Sequence, residues 1–292
     1  MNKAVVIGGS GFIGSHVTDS LVDNGYSVTV FDKVKSPWII NKKIKMVIGD
    51  ILDVATLDSA ISGSNLVYNF AGIADLNSAL NKPKLTAELN IIGNLNIMQS
   101  CIKHNIDRFI FASTIYVNSN EGGFYRCSKV ASEQYIEEFN KNYGLNYTVL
   151  RYGSLYGPRA DSNNGIVKIL EKAIYENVLV YDGHVDTKRE YIHVIDAAEA
   201  AVKALNKEFE NKTITLTGQQ NIKVIDLLKM IGEILNIPEE KIKVTNKPQV
   251  GHYIHSPYAQ TIKLPKKLVP NNYIDLGEGI LQLINILKNN KM

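Results

Sequence analysis

The first thirty-two residues constrain the fold of this chain more than any other stretch. Lys3–Ile7 is a short apolar run rich in β-branched residues, and such a run predicts a buried strand. The segment Gly8–Gly14 follows at once, with the sequence GGSGFIG. The apolar positions of Phe12–Asn24 are then spaced as on one side of a helix, and Ser27–Phe31 predicts a second strand. The stretch therefore predicts a strand, a glycine turn, a helix and a second strand in immediate succession.

A glycine turn in that position is suited to binding a dinucleotide. Three glycines let the backbone turn sharply, let a pyrophosphate come close to it, and let the helix pack against the strand. The helix N-terminus then offers free N–H groups and the positive end of its dipole to an anion. A simple turn is the alternative, but the flanking strand and helix supply the context that a dinucleotide site requires. We expect cofactor contacts from Gly8, Gly11, Phe12, Ile13 and Gly14.

An acidic residue closes the second predicted strand. Asp32 is placed to accept hydrogen bonds from the ribose hydroxyls of the adenosine. Its charge would repel a 2′-phosphate, so we predict NAD as the cofactor rather than NADP. The neighbouring Lys33, itself a candidate cofactor contact, is the one charge that opposes this choice.

The alternation of strands and helices continues to Arg151. Further strands are predicted at Lys45–Ile48, Leu66–Phe70, Arg108–Ala112 and Tyr147–Arg151, and helices at Lys84–His104 and Phe124–Tyr143. This alternation predicts an α/β fold of the Rossmann type, a doubly wound parallel sheet that binds its ligand at the carboxyl ends of the strands.

The pattern changes in the second half of the chain, where glycine, proline and aromatic residues cluster in Tyr152–Asn164. Shorter elements follow, with helices predicted near Gly165–Tyr175, Val194–Leu205, Val224–Asn236 and Leu276–Leu287, and strands at Val178–Val180 and Thr213–Leu216. We interpret residues 1–152 as an NAD-binding Rossmann domain and residues 153–292 as a smaller C-terminal substrate-binding lobe, interleaved with the sheet.

Composition excludes several classes of function. The formal net charge is +3 and the charges are scattered, which argues against nucleic acid as a partner. No apolar run approaches the roughly 20 residues of a membrane span, and the chain enters a strand too early for a signal peptide. Cys101 and Cys127 form no disulfide or metal-binding pattern, so we expect no metal site. The sequence thus predicts a reduced, cytoplasmic enzyme without a membrane partner.

Tyr125 and Lys129 are the strongest candidates for the chemistry. They are four residues apart on one predicted helix, so their side chains share a face. An ammonium beside a phenol stabilises the phenolate, lowers the pKa of the tyrosine and makes it a usable base near neutral pH. A Tyr-x-x-x-Lys pair alone is a common accident. Here it follows a predicted strand that runs into Ser113-Thr114, in a chain that also carries the glycine turn.

Together these motifs resemble the extended short-chain dehydrogenase/reductases, and within them the NAD-dependent epimerase/dehydratase family that acts on sugar nucleotides. The resemblance covers essentially the whole chain. It rests on the glycine turn, Asp32 and Tyr125–Lys129, and on the segments Asn69–Gly72, Asn90, Ser113-Thr114, Tyr156–Arg159 and Arg189–Asp196.

The resemblance implies a role for each of these residues. Tyr125 would take the proton from a sugar hydroxyl while hydride leaves the same carbon for NAD, and Thr114, with Ser113 beside it, would hydrogen-bond that hydroxyl. Lys129 would tune the tyrosine and bind the nicotinamide ribose. Further cofactor contacts are implied for Asp50, Ile51, Phe70, Ala71, Gly72 and Asn90, and contacts with the nucleotide-sugar substrate for Ser154, Arg159 and Arg189.

Three of these positions have structural alternatives. Asp50 could instead cap a helix that begins a few residues later. Asn90 could be a packing residue whose amide is satisfied within the core. Arg189 could make a surface ion pair with Glu190 or Asp186.

The sequence departs from the family pattern at three points. The segment after the fifth strand is two residues shorter, so the choice between Thr114 and Ser113 as the catalytic hydroxyl stays open. Dehydratases of the family carry Asp-Glu just after that threonine, and Ile115 and Tyr116 in those places argue against loss of water. Ser154 stands where an asparagine usually contacts phosphate, although a serine hydroxyl can still donate.

We therefore expect NAD-dependent oxidation of a ring hydroxyl of a nucleotide sugar, at C4, by a 4-epimerase or a 4-dehydrogenase of surface polysaccharide biosynthesis. An NADPH-type reductase of a keto sugar is the alternative, and Asp32 argues against it. A sensor or scaffold that binds NAD without chemistry is a third hypothesis, against which the retention of Tyr125 and Lys129 argues.

The resemblance also implies an oligomer. In the family, the helices that correspond to residues 84–104 and 124–143 pair into a four-helix dimer interface, so we expect a homodimer or a larger homo-oligomer. Leu85, Ile92 and Ile136 could serve either this interface or the core.

Overall fold

The computed structural model describes residues 2–39, 44–246 and 251–257, all within one compact unit that spans Met1–Gln260. A second unit, Thr261–Met292, lies outside the described residues, and with it the helix predicted near Leu276–Leu287.

The strands in the described ranges are β1 (Lys3–Ile7), β2 (Ser27–Asp32), β3 (Ile44–Ile48), β4 (Leu66–Asn69), β5 (Arg108–Thr114), β6 (Tyr147–Tyr152), β7 (Ser154–Tyr156), β8 (Leu179–Tyr181), β9 (Lys188–His193), β10 (Lys212–Leu216), β11 (Asn221–Lys223) and β12 (Ile242–Val244). The α-helices are α1 (Phe12–Asp23), α2 (Val54–Ile61), α3 (Leu76–Asn81), α4 (Pro83–Ala87), α5 (Gly93–Lys103), α6 (Gly123–Tyr143), α7 (Gly165–Glu176), α8 (Val194–Lys203) and α9 (Val224–Leu235). A π-helical turn (Glu88–Ile92) joins α4 to α5, and a 3₁₀ turn (Ile115–Asn118) follows β5.

Seven strands form one sheet in the order β10-β6-β5-β4-β1-β2-β3, and each neighbouring pair is parallel. The residues of β4 are buried throughout and those of β1 nearly so, as expected for strands covered on both faces. The strand order reverses between β1 and β4, and doubly wound sheets hold their ligands at such a switch point. The predicted Rossmann fold is therefore confirmed.

Helices cover both faces of this sheet. On one face α1 and α8 pack through a core that includes Val17, Leu21 and Ala201. On the other face α2, α5 and α6 pack through a second core that includes Ile97 and Ile136. Ile136 is 0% exposed, so it belongs to the core and is not available to an interface.

The second half of the chain alternates between this sheet and a smaller lobe. After β6 the chain passes Gly153 into β7, which joins β9 and β11 in a three-stranded sheet, while β8 pairs with β12. α7 and α9 pack on β8 through an apolar cluster that includes Leu179 and Leu228. α8 and β10 return to the large sheet. Among the described residues, no helix is long and apolar enough to cross a membrane.

Local patterns placed most of the predicted elements within one or two residues. β1 has the predicted bounds, and the predicted strand at Val178–Val180 is shifted by one residue. The single helix predicted at Lys84–His104 is interrupted by the π turn. The helix α3 was not predicted. Four short strands were not predicted either, because their pairing depends on contacts remote in sequence: β7, β9, β11 and β12.

Candidate active site

The glycine turn between β1 and α1 leaves no room for side chains. Gly8 has a φ of +77°, and a Cβ there would lie 2.6 Å from the backbone nitrogen of Ala71. A Cβ at Gly14 would lie 2.3 Å from the carbonyl oxygen of Gly8. Gly11 is the N-cap of α1, so no capping side chain competes for the first N–H groups of the helix. The turn thus offers bare backbone and a free helix N-terminus, which are the features that a pyrophosphate needs.

The charge next to this turn is arranged as NAD requires. The Asp32 carboxylate accepts hydrogen bonds from the Ser10 N–H at 3.0 Å and the Val34 N–H at 3.2 Å, which hold it beside the turn. The ammonium of Lys33 lies 3.0 Å from the Oδ2 atom of Asp50. The positive charge of Lys33 is therefore paired with Asp50, so the Asp32 carboxylate can still repel a 2′-phosphate, which favours NAD.

Asp50 does not cap the helix that follows it. The N-cap of α2 is Asp53, whose carboxylate accepts from the Thr56 N–H at 3.3 Å. Asp50 accepts instead from the Leu52 N–H at 3.0 Å. The capping alternative for Asp50 is wrong, and a contact between Asp50 and the adenine stays a prediction.

Asparagine side chains hold the turn that follows β4. Asn69 accepts from the Ala71 N–H at 3.0 Å and donates to the Asn94 side chain at 2.9 Å. Asn90 accepts from the Ile73 N–H at 2.7 Å and donates to the Ile73 carbonyl at 2.9 Å. The backbone that faces the glycine turn is thus fixed by buried side chains of the π turn and α5.

The π turn lets Asn90 connect this loop to α6. Ser132 donates to the backbone carbonyl of Asn90 at 2.8 Å, and Ser128 accepts from its side chain at 2.8 Å. Gly72, with a φ of +135°, must be glycine because a Cβ would lie 2.4 Å from the Asn90 Oδ1 atom. Asn90 is therefore more than a packing residue, since it joins the cofactor-side loop to the helix that carries Tyr125.

A crevice of about 260 Å³ lies between the two turns, at the carboxyl ends of β1 and β4. The predicted cofactor residues that line it are Gly8, Gly11, Asp32, Lys33, Ile51, Phe70, Ala71 and Gly72. The other predicted cofactor contacts are not among its lining residues: Phe12, Ile13, Gly14, Asp50, Asn90, Tyr125 and Lys129. The crevice suits the ADP half of NAD, because it combines free backbone N–H groups for phosphate, a carboxylate for ribose and apolar walls for adenine.

Tyr125, near the start of α6, meets Thr114 at the end of β5. Both residues are buried, and the Thr114 side chain lies next to the Tyr125 phenol, where it acts to lower the pKa of that phenol. The Ser113 hydroxyl donates instead to the carboxylate of Glu133 at 2.5 Å. Of the two candidate hydroxyls, the structure places that of Thr114 beside Tyr125 and turns that of Ser113 away.

Lys129 lies one turn after Tyr125 on the same face of α6. Its ammonium donates to the Ala112 carbonyl at 2.7 Å and lies 4.6 Å from the centre of the Phe111 ring and 5.8 Å from that of the Tyr125 ring. Burial lowers the pKa of Lys129 to about 8, and the carboxylate of Glu133 opposes that fall. The lysine is thus a buried cation whose charge depends on its neighbours.

The pKa of Tyr125 differs from the expectation. Burial raises it to about 12, although the hydrogen bond with Thr114 acts in the opposite direction. The expectation that Lys129 lowers this pKa was wrong for the protein by itself, because the ammonium donates to the Ala112 carbonyl. The phenol is therefore protonated at neutral pH until another positive charge is brought to it.

Arg189 and Ser154 meet at the side chain of Tyr253. The guanidinium of Arg189 lies 4.3 Å from the centre of the Tyr253 ring and donates to the carbonyls of Lys188 at 2.9 Å and Ile254 at 3.4 Å. The Oγ atom of Ser154 lies 3.4 Å from the Tyr253 hydroxyl. Arg189 is only 7% exposed, so the surface ion pair considered for it is wrong.

Tyr116 connects this cluster to Tyr125. The Tyr116 ring centre lies 4.8 Å from that of Tyr253 and 6.5 Å from that of Tyr125. Its hydroxyl shares a hydrogen bond with Nδ1 of His252 at 3.1 Å. The sequence analysis missed His252 and Tyr253, because no local pattern in residues 251–257 links them to α6. Tyr116, Tyr253 and Arg189 therefore form one continuous wall that leads away from Tyr125.

Arg159 is not part of this wall. Its guanidinium pairs with the Asp19 carboxylate of α1 at 2.7 Å and lies 5.2 Å from the centre of the Trp38 ring. The carbonyl of the preceding Pro158 accepts from His16 at 2.9 Å, which anchors this segment on α1. The charge of Arg159 is thus engaged by Asp19 in this structure, and a contact between Arg159 and the substrate stays a prediction.

Comparison with known proteins agrees with the site. A sequence profile described as the NAD dependent epimerase/dehydratase family matches residues 4–217. A putative UDP-glucose 4-epimerase of Methanocaldococcus jannaschii is 30% identical in an alignment 307 residues long, gaps included, that covers 98% of each chain.

Two solved structures extend this similarity to three dimensions. The UDP-glucose 4-epimerase of Thermotoga maritima, solved with UDP-glucose, matches with a TM-score of 0.78 and 27% identity over 100% of both chains. The UDP-glucose 4-epimerase of Thermus thermophilus, solved with NAD, matches with a TM-score of 0.74 and 25% identity over 87% of this chain and 90% of that one. From the profile match, the fold and the cofactor crevice together, we conclude that the chain is an NAD-dependent enzyme and belongs to the NAD dependent epimerase/dehydratase family.

Proposed function

We propose that this protein is a UDP-sugar 4-epimerase that acts in surface polysaccharide biosynthesis. The observation that carries the proposal is the buried pair of Tyr125 and Thr114, from which the wall formed by Tyr116 and Tyr253 leads to the buried Arg189. The relatives described above are UDP-glucose 4-epimerases by name, and they supply the nucleotide and the reaction class.

Tyr125 and Thr114 hold the C4 hydroxyl of the sugar between them. Tyr125 takes the hydroxyl proton as hydride leaves C4, and it returns that proton when the 4-keto sugar is reduced on its other face. When bound, NAD supplies the hydride acceptor and a positive charge on its nicotinamide. That charge favours the phenolate of Tyr125, whose pKa burial raises to about 12 in the protein alone. Epimerisation then leaves no net change in redox state.

Arg189 is suited to the pyrophosphate of the sugar nucleotide. Its guanidinium is planar and carries five N–H donors, and the carbonyls of Lys188 and Ile254 engage only the Nη1 atom. Packing against the Tyr253 ring fixes the plane of the fork. The remaining donors can meet two phosphate oxygens at once.

The residues after Thr114 favour epimerisation over loss of water. Ile115 is buried and apolar, and the Tyr116 hydroxyl is bound to His252. Burial raises the pKa of Tyr116 well above its ordinary value, so this phenol stays neutral. Neither side chain can serve as the acid and base that elimination of water requires.

A substrate panel tests the proposed reaction. The purified protein is incubated with UDP-, dTDP-, GDP- and CDP-sugars, and each product is analysed by mass spectrometry and proton NMR. We expect a UDP-hexose product of unchanged mass with an altered C4 proton. A product lighter by two mass units, with NADH accumulating, would show a dehydrogenase, and loss of water would contradict the assignment.

We also propose that the protein forms a homodimer through α4, α5 and α6. Leu85 on α4 is 37% exposed, and Ile92 on the π turn is 49% exposed. Phe124, at the start of α6, is 47% exposed. These apolar side chains lie on helices that pack on one another, so a partner could cover them together.

A further inference from the structure

Glu133 is the buried carboxylate nearest to the proposed chemistry. It lies four residues after Lys129 on α6, so Tyr125, Lys129 and Glu133 follow one another on one face of the helix. Glu133 is 8% exposed and Lys129 is 6% exposed. A charge so deeply buried needs compensating partners.

Three consecutive residues of β5 meet these three residues of α6. Thr114 lies next to Tyr125, the carbonyl of Ala112 accepts from Lys129, and the hydroxyl of Ser113 donates to Glu133. Each contact on α6 is one helical turn from the next. These three contacts fix the end of β5 against the face of α6 that carries Tyr125.

Arg151 of β6 completes the surroundings of Glu133. Its Nε donates to one carboxylate oxygen at 3.0 Å and its Nη2 to the other at 2.6 Å, while Nη1 donates to Asn118 at 3.1 Å. The ionisable groups that face Glu133 are thus Lys129 on its own helix and Arg151 and Tyr147 on β6. The carboxylate thus forms an ion pair with Arg151 and raises the pKa of Lys129 from a longer distance.

We infer that Glu133 is a positioning residue of the proposed epimerase: held by Arg151 and Ser113, its carboxylate fixes β5 against α6 and keeps Lys129 charged beside Tyr125. The inference rests on the proposed function only for the reaction that it serves. Without the carboxylate, Arg151 and Lys129 become two unpaired cations in a buried site, and the lysine is the one that can lose a proton.

Glu133→Gln tests the electrostatic part of this inference. The lysines are labelled with ¹³C at Cε, the Lys129 signal is assigned with Lys129→Met, and its titration is followed without substrate. We expect the midpoint to fall by about two pH units, because charges one helical turn apart in such a site interact at an effective dielectric constant of about 20.

Glu133→Asp and Glu137→Gln are the matched controls. The aspartate keeps the charge and should restore most of the lysine midpoint, and Glu137 is an exposed carboxylate one turn further along α6, so its removal should leave the midpoint in place. Ser113→Ala removes only the hydrogen bond between β5 and Glu133, so it should lower kcat several-fold with KM and the lysine midpoint unchanged.

A lysine midpoint that is the same in Glu133→Gln and in the unmodified protein would overturn the inference. If Glu133→Gln does not fold, an unchanged kcat in Ser113→Ala would overturn it in its place, and a lowered kcat at constant KM would support it. If no UDP-sugar is turned over, the proposed function fails, but the substrate-free titration still decides whether Glu133 keeps Lys129 charged.

Discussion

The buried lysine makes the stability of this protein depend on pH in a direction that can be measured. Burial lowers the pKa of Lys129 from 10.5 to about 8 in the folded protein. Between these values the unfolded chain holds a proton that the folded protein has released. The contribution of Lys129 to stability must therefore rise with pH across this interval, because the unfolded state binds more protons at this lysine.

The size of the effect follows from the two pKa values of this one lysine. Between pH 7 and pH 9.5, Lys129 should add about 2 kcal/mol to the free energy of unfolding, at about 1.4 kcal/mol per unit of pKa difference. The corresponding change from Tyr125 falls outside this window, since its pKa is raised to about 12 and the unfolded phenol ionises only near 10. The Cys101 thiol acts in the opposite direction in this window, because burial raises its pKa well above 9.0 in the folded protein, so the lysine is isolated only by comparison with a variant that lacks it.

Lys129→Met removes this titration while keeping a side chain of similar length. Urea unfolding of the unmodified protein and the variant should give a difference in unfolding free energy that moves by about 2 kcal/mol between pH 7 and pH 9.5, with the unmodified protein gaining at high pH. Lys141→Met is the control, because Lys141 is exposed on the same helix and its ion pair with Glu138 raises its pKa above 10.5. A difference for Lys129→Met that stays flat, or moves the other way, would refute the reasoning.

Three further perturbations test other parts of the structure. Asp32→Ala should narrow the preference for NADH over NADPH in a fluorescence titration by removing the charge that repels a 2′-phosphate, and an unchanged ratio would contradict the role of Asp32. Gly14→Ala should abolish cofactor binding and destabilise the fold by about 1–3 kcal/mol, since its Cβ would meet the Gly8 carbonyl at 2.3 Å; a thermal-shift measurement with and without NAD checks both effects. Leu85→Asp should convert the proposed dimer to a monomer in light scattering, whereas Ile174→Asp, which alters an exposed residue of the lobe, should not.

The N-terminal half could be predicted because its signals are local. The first strand, the glycine turn and the following helix are each specified by residues within a few positions, so β1 and α1 lie close to where the periodicity put them. The same locality explains the crevice, since residues that end neighbouring parallel strands must meet at one edge of the sheet.

The contacts around Glu133 could not be predicted in this way. Glu133 stands four residues after Lys129, and that spacing is visible in the sequence, but only the folded chain shows that Arg151 and Ser113 converge on its carboxylate. The choice between Ser113 and Thr114 had the same origin, because both side chains contact α6 and only the folded chain shows that Thr114 meets Tyr125 while Ser113 meets Glu133.

The substrate side depended on contacts between distant segments. Arg159 lies in a motif that predicted a contact with substrate. Its guanidinium forms an ion pair with the carboxylate of Asp19 on α1, about 140 residues away in the chain. Tyr253 reaches Arg189 and Tyr116 from a segment without regular structure, which no periodicity marks. The π turn at Glu88–Ile92 is likewise invisible to a search for helical spacing, although it frees the Asn90 carbonyl for Ser132.

The measurement that tests the central claim most directly is the rate at which Tyr125→Phe interconverts UDP-glucose and its C4 epimer, followed by proton NMR. Tyr143→Phe, which alters an exposed tyrosine of the same helix, is the matched control and should match the unmodified protein. If Tyr125 moves the proton of the C4 hydroxyl, its loss should lower kcat by about 10²–10⁴-fold with KM little changed. A Tyr125→Phe enzyme that turns over as fast as the unmodified protein would contradict the account.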